Sequence, residues 1–182
     1  MGYYKNEAFA RADKALRRAY RFKNPYRIAK RYYLEVGDDP YSYGETPLEV
    51  FEVIGRALEL GPGKRVLDLG CGRGRGVFFL KHFFGCEAVG VEQVPEFVRI
   101  AKGIGGEFHA MNFLKMPLSG FNALYMAGTC FDDGLVEALT SKLKRHCLKI
   151  ATISYPLEGF EVLDTIEVQM PWGVTDLFIQ KT

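Results

Sequence analysis

The chain has 182 residues, 48% of them apolar and 25% charged, with a net charge of +2. That balance at that length reads as one soluble globular domain with a sizeable core. No apolar run approaches the roughly 18 residues needed to span a membrane. Four cysteines without a C-x-x-C pair or matching histidine spacing argue against a zinc site, and read as reduced, mostly buried thiols of a cytoplasmic protein.

The charge is uneven. Residues 1–36 carry ten basic and three acidic side chains, a net +7, which leaves −5 for the remainder. Such a block suits an acidic partner, RNA or an acidic protein surface, or forms a solvated helix face. Phe9, Ala12, Leu16, Ala19 and Tyr20 recur every three or four residues, predicting an amphipathic helix over 7–23. Asn24 and Pro25 supply an N-cap and first helical position for a second helix to about Leu34. Its basic face is interleaved with Tyr26, Tyr32 and Tyr33, which either pack on the main domain or contact substrate. A targeting presequence has a similar composition, but the many tyrosines and few serines argue against one. Residues 1–36 are therefore expected to form a basic helical extension, as a lid or an arm, and 37–182 the main domain.

Gly37 to Pro40 is a loop. Thr46, Pro47 and Glu49 read as the N-cap, N1 and N3 of a capping box that opens a helix ended by Gly61-Pro62. The central stretch follows. Val66 to Leu69 is a short apolar run that holds Asp68, then breaks into Gly70, Cys71, Gly72, Arg73 and Gly74 before an apolar helix over Val77 to Phe84. Strand, glycine turn, helix is the grammar of a nucleotide-cofactor loop in a parallel sheet. A dinucleotide loop needs a third glycine three positions after Gly72, and Arg75 stands there. A carboxylate at Asp68 also disfavours a phosphate and suits a cofactor with a cationic end.

Ala88 to Glu92 is a second strand closed by an acid, the position that accepts ribose hydroxyls in open parallel sheets. A helix from Pro95 and a third strand, Phe108 to Met111, lead to Asn112 and Phe113, an amide and an aromatic suited to an adenine. The stretch Leu114 to Gly120 is too short for a full crossover helix. Asn122 to Ala127 is strand four, a helix over Leu135 to Arg145 follows, and Leu148 to Ser154 is strand five. Phe160 to Met170 and Val174 to Gln180, joined by Pro171-Trp172-Gly173, form a closing antiparallel hairpin. The expected fold is α/β: a doubly wound, mostly parallel, Rossmann-like sheet of about seven strands.

Asp68, Gly70, Gly72 and Gly74 form a D-x-G-x-G-x-G pattern that resembles motif I of the class I S-adenosylmethionine-dependent methyltransferases. The resemblance runs from about Tyr43 to the C-terminus. It implies S-adenosyl-L-methionine as cofactor, with Asp68 beside its methionine end, Gly70, Cys71, Gly72 and Gly74 as the loop, Glu92 and Gln93 at the ribose, and Asn112, Phe113 and Ala127 completing the site. A narrower resemblance, carried by Tyr43 to Thr46, Gly90 to Glu92, Asn112 to Leu114 and Ser154 to Pro156, is to the seven-β-strand histone lysine methyltransferases and to the ATP-synthase c-subunit lysine methyltransferases. It implies that Tyr43, Glu45 and Thr46 enclose the cofactor's amino-acid end, and that the substrate is a protein lysine. The chain departs from those enzymes at Asn112, where they carry aspartate, and at Ala127 to Phe131, where the histone enzymes carry Asn-Asn-Phe. Thr129 and Tyr43 are the expected lining of the transfer site, with Asp132 and Asp133 as candidate bases or caps. RNA or small-molecule methylation, or cofactor sensing without catalysis, are the alternatives.

Overall fold

Strand β1 (Arg65–Leu69) is the axis of the fold; the structure is a computed structural model that describes residues 2–182. Every β1 residue after Arg65 is buried, because the strand has parallel neighbours on both edges and is covered on both faces. On one side lie β2 (Glu87–Glu92) and then β3 (Glu107–Ala110), on the other β4 (Ala123–Met126) and then β5 (Lys149–Ile153), all parallel. β6 (Glu161–Met170) and β7 (Gly173–Lys181) form the expected hairpin. It is β7 that joins β5, giving the order β3-β2-β1-β4-β5-β7-β6. The predicted doubly wound sheet and closing hairpin are both present.

Alternation along the strands sorts two cores. Val66, Tyr125, Ala151 and Ile153 face a core closed by α3 (Leu48–Ala57), α4 (Arg75–Phe84) and α5 (Pro95–Ile104), with α1 (Glu7–Ala19) lying against α4 and α5, and α2 (Pro25–Val36) contributing Ala29 and Tyr33. Leu67, Leu69, Val89, Leu124 and Ile150 face a thinner layer made by α6 (Asp133–Leu143) and residues 113–121. As expected, that crossover is trimmed, here to a single 3-10 turn at Phe113–Lys115.

The N-terminal helices follow the sequence reading at their starts and shift at their ends. Asn24 caps α2 by accepting from the amides of Tyr26 and Arg27. α1 stops at Ala19 rather than near Lys23, because Tyr20 turns into the core against Phe97 and under the Arg73 guanidinium. α2 runs on to Val36, where Gly37 takes the left-handed conformation that ends it. The capping box at Thr46 does not form. α3 begins at Leu48 with Pro47 as its cap residue, and the Thr46 hydroxyl sits 2.6 Å from the hydroxyl of Tyr125 instead. The Tyr125 phenol is fully buried, so Thr46 answers a larger desolvation cost there than at an exposed helix end. Of the cysteines, Cys71 and Cys86 are buried but Cys130 and Cys147 are exposed, fewer buried thiols than expected. Among the described residues no helix is long and apolar enough to cross a membrane.

Candidate active site

The strands' carboxyl ends open into a cavity of about 710 Å³. Crevices outside these ends are where ligands bind in open parallel sheets. Its floor is Leu69 and Gly70 after β1, Val91 to Gln93 at the end of β2, Met111 to Phe113 after β3, and Ala127 to Thr129 after β4. Its upper wall comes from upstream: Tyr33 of α2, Asp38, and the stretch Tyr41 to Thr46. The far rim carries Asp132, Leu135, Met170 and, at the hairpin tip, Trp172. Tyr43, Glu45, Thr46, Gly70, Glu92, Gln93, Asn112, Phe113, Ala127 and Thr129, all candidate site residues, thus meet around one space.

Asp68, Cys71, Gly72 and Gly74 do not line it; they build the layer beneath. Gly72 and Gly74 are both left-handed (φ 54° and 80°) and closely covered. A Cβ on Gly72 would lie 3.0 Å from the Tyr43 ring, and one on Gly74 would lie 2.5 Å from the Phe108 ring. Glycine is required there by backbone conformation and by contact together. The Cys71 thiol is buried, and burial pushes its pKa well up, so it is inert filling.

Two buried carboxylates meet here, Glu92 in the floor and Asp68 beneath it. Glu92 is buried and accepts from the Gly72 amide at 2.9 Å and the Val94 amide at 2.9 Å. Burial raises its pKa, and these backbone donors offset part of the rise. The loop glycine and the β2 acid are therefore tied directly, which fixes where both meet a ligand. Asp68 is only 3% exposed, and its carboxylate takes no hydrogen bond from any described residue. Burial, with the nearby charge of Glu92, pushes its pKa up to about 8. A buried carboxylate without a partner is costly unless a cation arrives.

Above the loop lies an ion pair not legible in the sequence. Arg73, between the loop glycines, clasps Glu45 with Nε at 2.5 Å and a terminal nitrogen at 2.7 Å. The Tyr43 hydroxyl donates to the same carboxylate. Burial would raise the Glu45 pKa, but the Arg73 and Tyr43 hydrogen bonds prevail and hold it below its ordinary value. Arg75, at the start of α4, donates to Asp13 of α1 at 2.8 Å, and Tyr4 donates to that buried carboxylate at 2.9 Å. Both arginines of the glycine loop are thus held by carboxylates from upstream. Within the Tyr43 to Thr46 stretch, Glu45 thus anchors the loop and Thr46 satisfies Tyr125, while both also line the cavity.

On the acceptor side, Gly128 is left-handed (φ 66°) and its carbonyl accepts from the Tyr155 hydroxyl at 2.7 Å, which sets the turn that presents Thr129 and Cys130. Tyr155 was not among the expected site residues. Asp132 caps α6 by accepting from Leu135, and so serves as a helix cap at the cavity rim. The Asn112 amide oxygen accepts from Leu114 at 2.8 Å, opening the 3-10 turn. An adenine amino group would therefore find that oxygen already engaged, with its second lone pair left. Phe113 stacks on Phe131 at 5.1 Å, closing that end of the cavity.

The cavity lining includes Asp38, Glu45, Glu92 and Asp132, several aromatic rings, and no lysine or arginine. Among residues present, this suits a cationic ligand flanked by a polar sugar and a flat ring. No family model matches the chain, and no curated protein sequence is significantly similar to it. Solved structures are similar in fold. An RNA methyltransferase from Salinibacter ruber in complex with S-adenosyl-L-homocysteine superposes with a TM-score of 0.65 at 17% identity, over 76% of this chain and 93% of that one. A mutant of MtNAS in complex with S-adenosylmethionine gives 0.62 at 14% identity over 74% of this chain, which spans only 61% of that longer protein. The mycolic acid cyclopropane synthase CmaA1, complexed with SAH and CTAB, gives 0.63 at 10% identity, over 74% and 84%. The chain has the fold of the class I S-adenosylmethionine-dependent methyltransferases.

Proposed function

We propose that the chain is a methyltransferase that binds S-adenosyl-L-methionine in this cavity and hands its methyl group directly to a nitrogen acceptor. The observation that carries the reading is the unpartnered, buried Asp68 carboxylate beneath a glycine floor, beside a Glu92 already fixed by the loop amide of Gly72. That arrangement fits a ligand with an ammonium-bearing end and a ribose: Asp68, in the layer beneath the cavity, for the field of the positive charge, Glu92 for the hydroxyls, and Asn112 and Phe113 for the base.

When bound, the cofactor supplies a methyl already activated by its sulfonium. What the protein adds is placement and dryness. An acceptor must lie about 3 Å from the methyl, in line with the bond that breaks, in a site closed to water. Tyr43, locked by Glu45 and Arg73, covers the floor from above; Thr129, on the turn set by Tyr155, lines the acceptor side. A protein lysine, which the sequence resemblance implies, would enter this carboxylate and aromatic lining as the ammonium and must release its proton to solvent before it can accept the methyl. A nucleic-acid base is the acceptor that the basic helices beside the cavity favour, ahead of the lysine. Calorimetry with S-adenosyl-L-homocysteine tests the pocket: micromolar binding by the wild type that disappears in Glu92→Ala supports it, and no binding by a folded wild type refutes it.

A further inference from the structure

We infer that the α1–α2 face is a docking surface for single-stranded RNA, and that it delivers the methyl acceptor to the cavity; the delivery rests on the methyltransferase reading, the docking does not. Arg11, Lys14, Arg18 and Arg21 recur at three- and four-residue intervals along α1 and into the turn after it, and all four are exposed. Arg27 and Lys30, exposed on α2, continue the positive surface. None of these six makes an ion pair among the described residues; the basic side chains of this segment that do are Arg17 and Arg31 on the helices and Lys23 in the turn between them. Unpaired surface cations of this number are phosphate ligands in waiting.

Exposed aromatic rings are set among them. Phe22 is 90% exposed beneath the Arg21 guanidinium, Tyr26 is 57% exposed, and Tyr41 is 75% exposed beneath the Lys30 ammonium. Rings interleaved with cations are what an unpaired strand uses, with bases on the rings and phosphates on the charges; a duplex keeps its base faces hidden. An acidic protein surface would use the cations and leave the rings bare.

The surface also leads to the site. Tyr26 packs edge-on against Tyr43 at 5.2 Å, and both Tyr43 and Tyr41 line the cavity. A strand lying along α2 therefore passes the cavity mouth, where the lining has carboxylates and rings but no cation. Phosphates are held outside while one neutral base turns in.

The test is fluorescence anisotropy of a labelled 20-nucleotide RNA of mixed sequence with the full chain, without cofactor, over a salt series. Six phosphate contacts on a single strand predict a log–log slope of about −4, hence roughly 300-fold weaker binding from 50 to 200 mM salt. Arg18→Glu, Arg21→Glu and Arg27→Glu together should flatten the slope by about 2, and Phe22→Ala should cost about tenfold for the single strand. Methyl transfer from labelled cofactor should appear in RNA and disappear in the triple variant. A polyglutamate peptide bound as tightly as RNA, a salt-independent affinity, or RNA binding unchanged in the triple variant would overturn the docking surface. Labelled methyl found in protein lysines of a cell extract and absent from its RNA would overturn the delivery. Absence of S-adenosyl-L-homocysteine binding by the wild type, with RNA binding intact, would instead refute the methyltransferase reading alone.

Discussion

Asp68→Asn separates the cost of the site from its purpose. In the folded, ligand-free chain the Asp68 carboxyl rises from 3.8 to about 8 because it is buried beside Glu92. Folding raises this pKa, so the folded chain keeps a proton that the unfolded chain releases above pH 4. Its contribution to stability is full below about pH 4 and is lost as the pH climbs through 8. At about 1.36 kcal/mol per decade of proton affinity, the loss between pH 5 and pH 8 reaches about 4 kcal/mol. Asparagine has the same shape and no charge. Urea denaturation from pH 5 to pH 9 should show the variant gaining on the wild type with rising pH, and standing several kcal/mol above it at pH 9, while binding no S-adenosylmethionine. Parallel pH curves for the two proteins, or a variant less stable throughout, would refute the claim that Asp68 is a buried charge kept for a cation.

Four further outcomes follow from contacts already described. Arg73→Met leaves the half-buried Glu45 without its partner and should cost about 2 kcal/mol by urea denaturation, with about tenfold or more weaker S-adenosyl-L-homocysteine binding by calorimetry. Thr46→Val strands the buried Tyr125 hydroxyl and should cost about 1–2 kcal/mol, most of it recovered when Tyr125→Phe is added. Gly74→Ala meets both a left-handed backbone and the Phe108 ring, and should lower thermal stability by well over about 2 kcal/mol. Asp13→Ala, although remote from the cavity, frees Arg75 and should weaken cofactor binding more than Glu52→Ala, whose salt bridge to Arg56 is on the surface.

Local signals carried most of the architecture. Alternating glycines after an apolar run located the loop to the residue, and the Asn24-Pro25 pair located the start of α2, because each device acts within four residues of itself. What sequence could not show were partners far along the chain. Thr46 has every local attribute of an N-cap, yet Tyr125, 79 positions later, takes its hydroxyl. Arg73 stands between the loop glycines with no local sign of a partner, and that partner, Glu45, lies 28 positions upstream. Asn112 was read for its chemistry toward a base, whereas its oxygen first satisfies the amide of Leu114 two residues on. The cavity wall from Tyr41 and the rim at Trp172 were equally hidden, whereas Tyr33 stands among the tyrosines read as packing on the main domain or contacting substrate.

The strand order has a consequence for how the molecule is made. β7 is the final strand of the seven to be synthesised, yet it is an interior member of the sheet, inserted between β5 and β6. Until Gly173–Lys181 leaves the ribosome, β6 has no neighbour and β5 offers a bare edge, so five parallel strands can assemble early while the hairpin cannot. A nascent chain stalled before residue 173 would expose an unpaired edge at β5 and a loose, ten-residue β6, the kind of surface that chaperones hold and aggregates recruit.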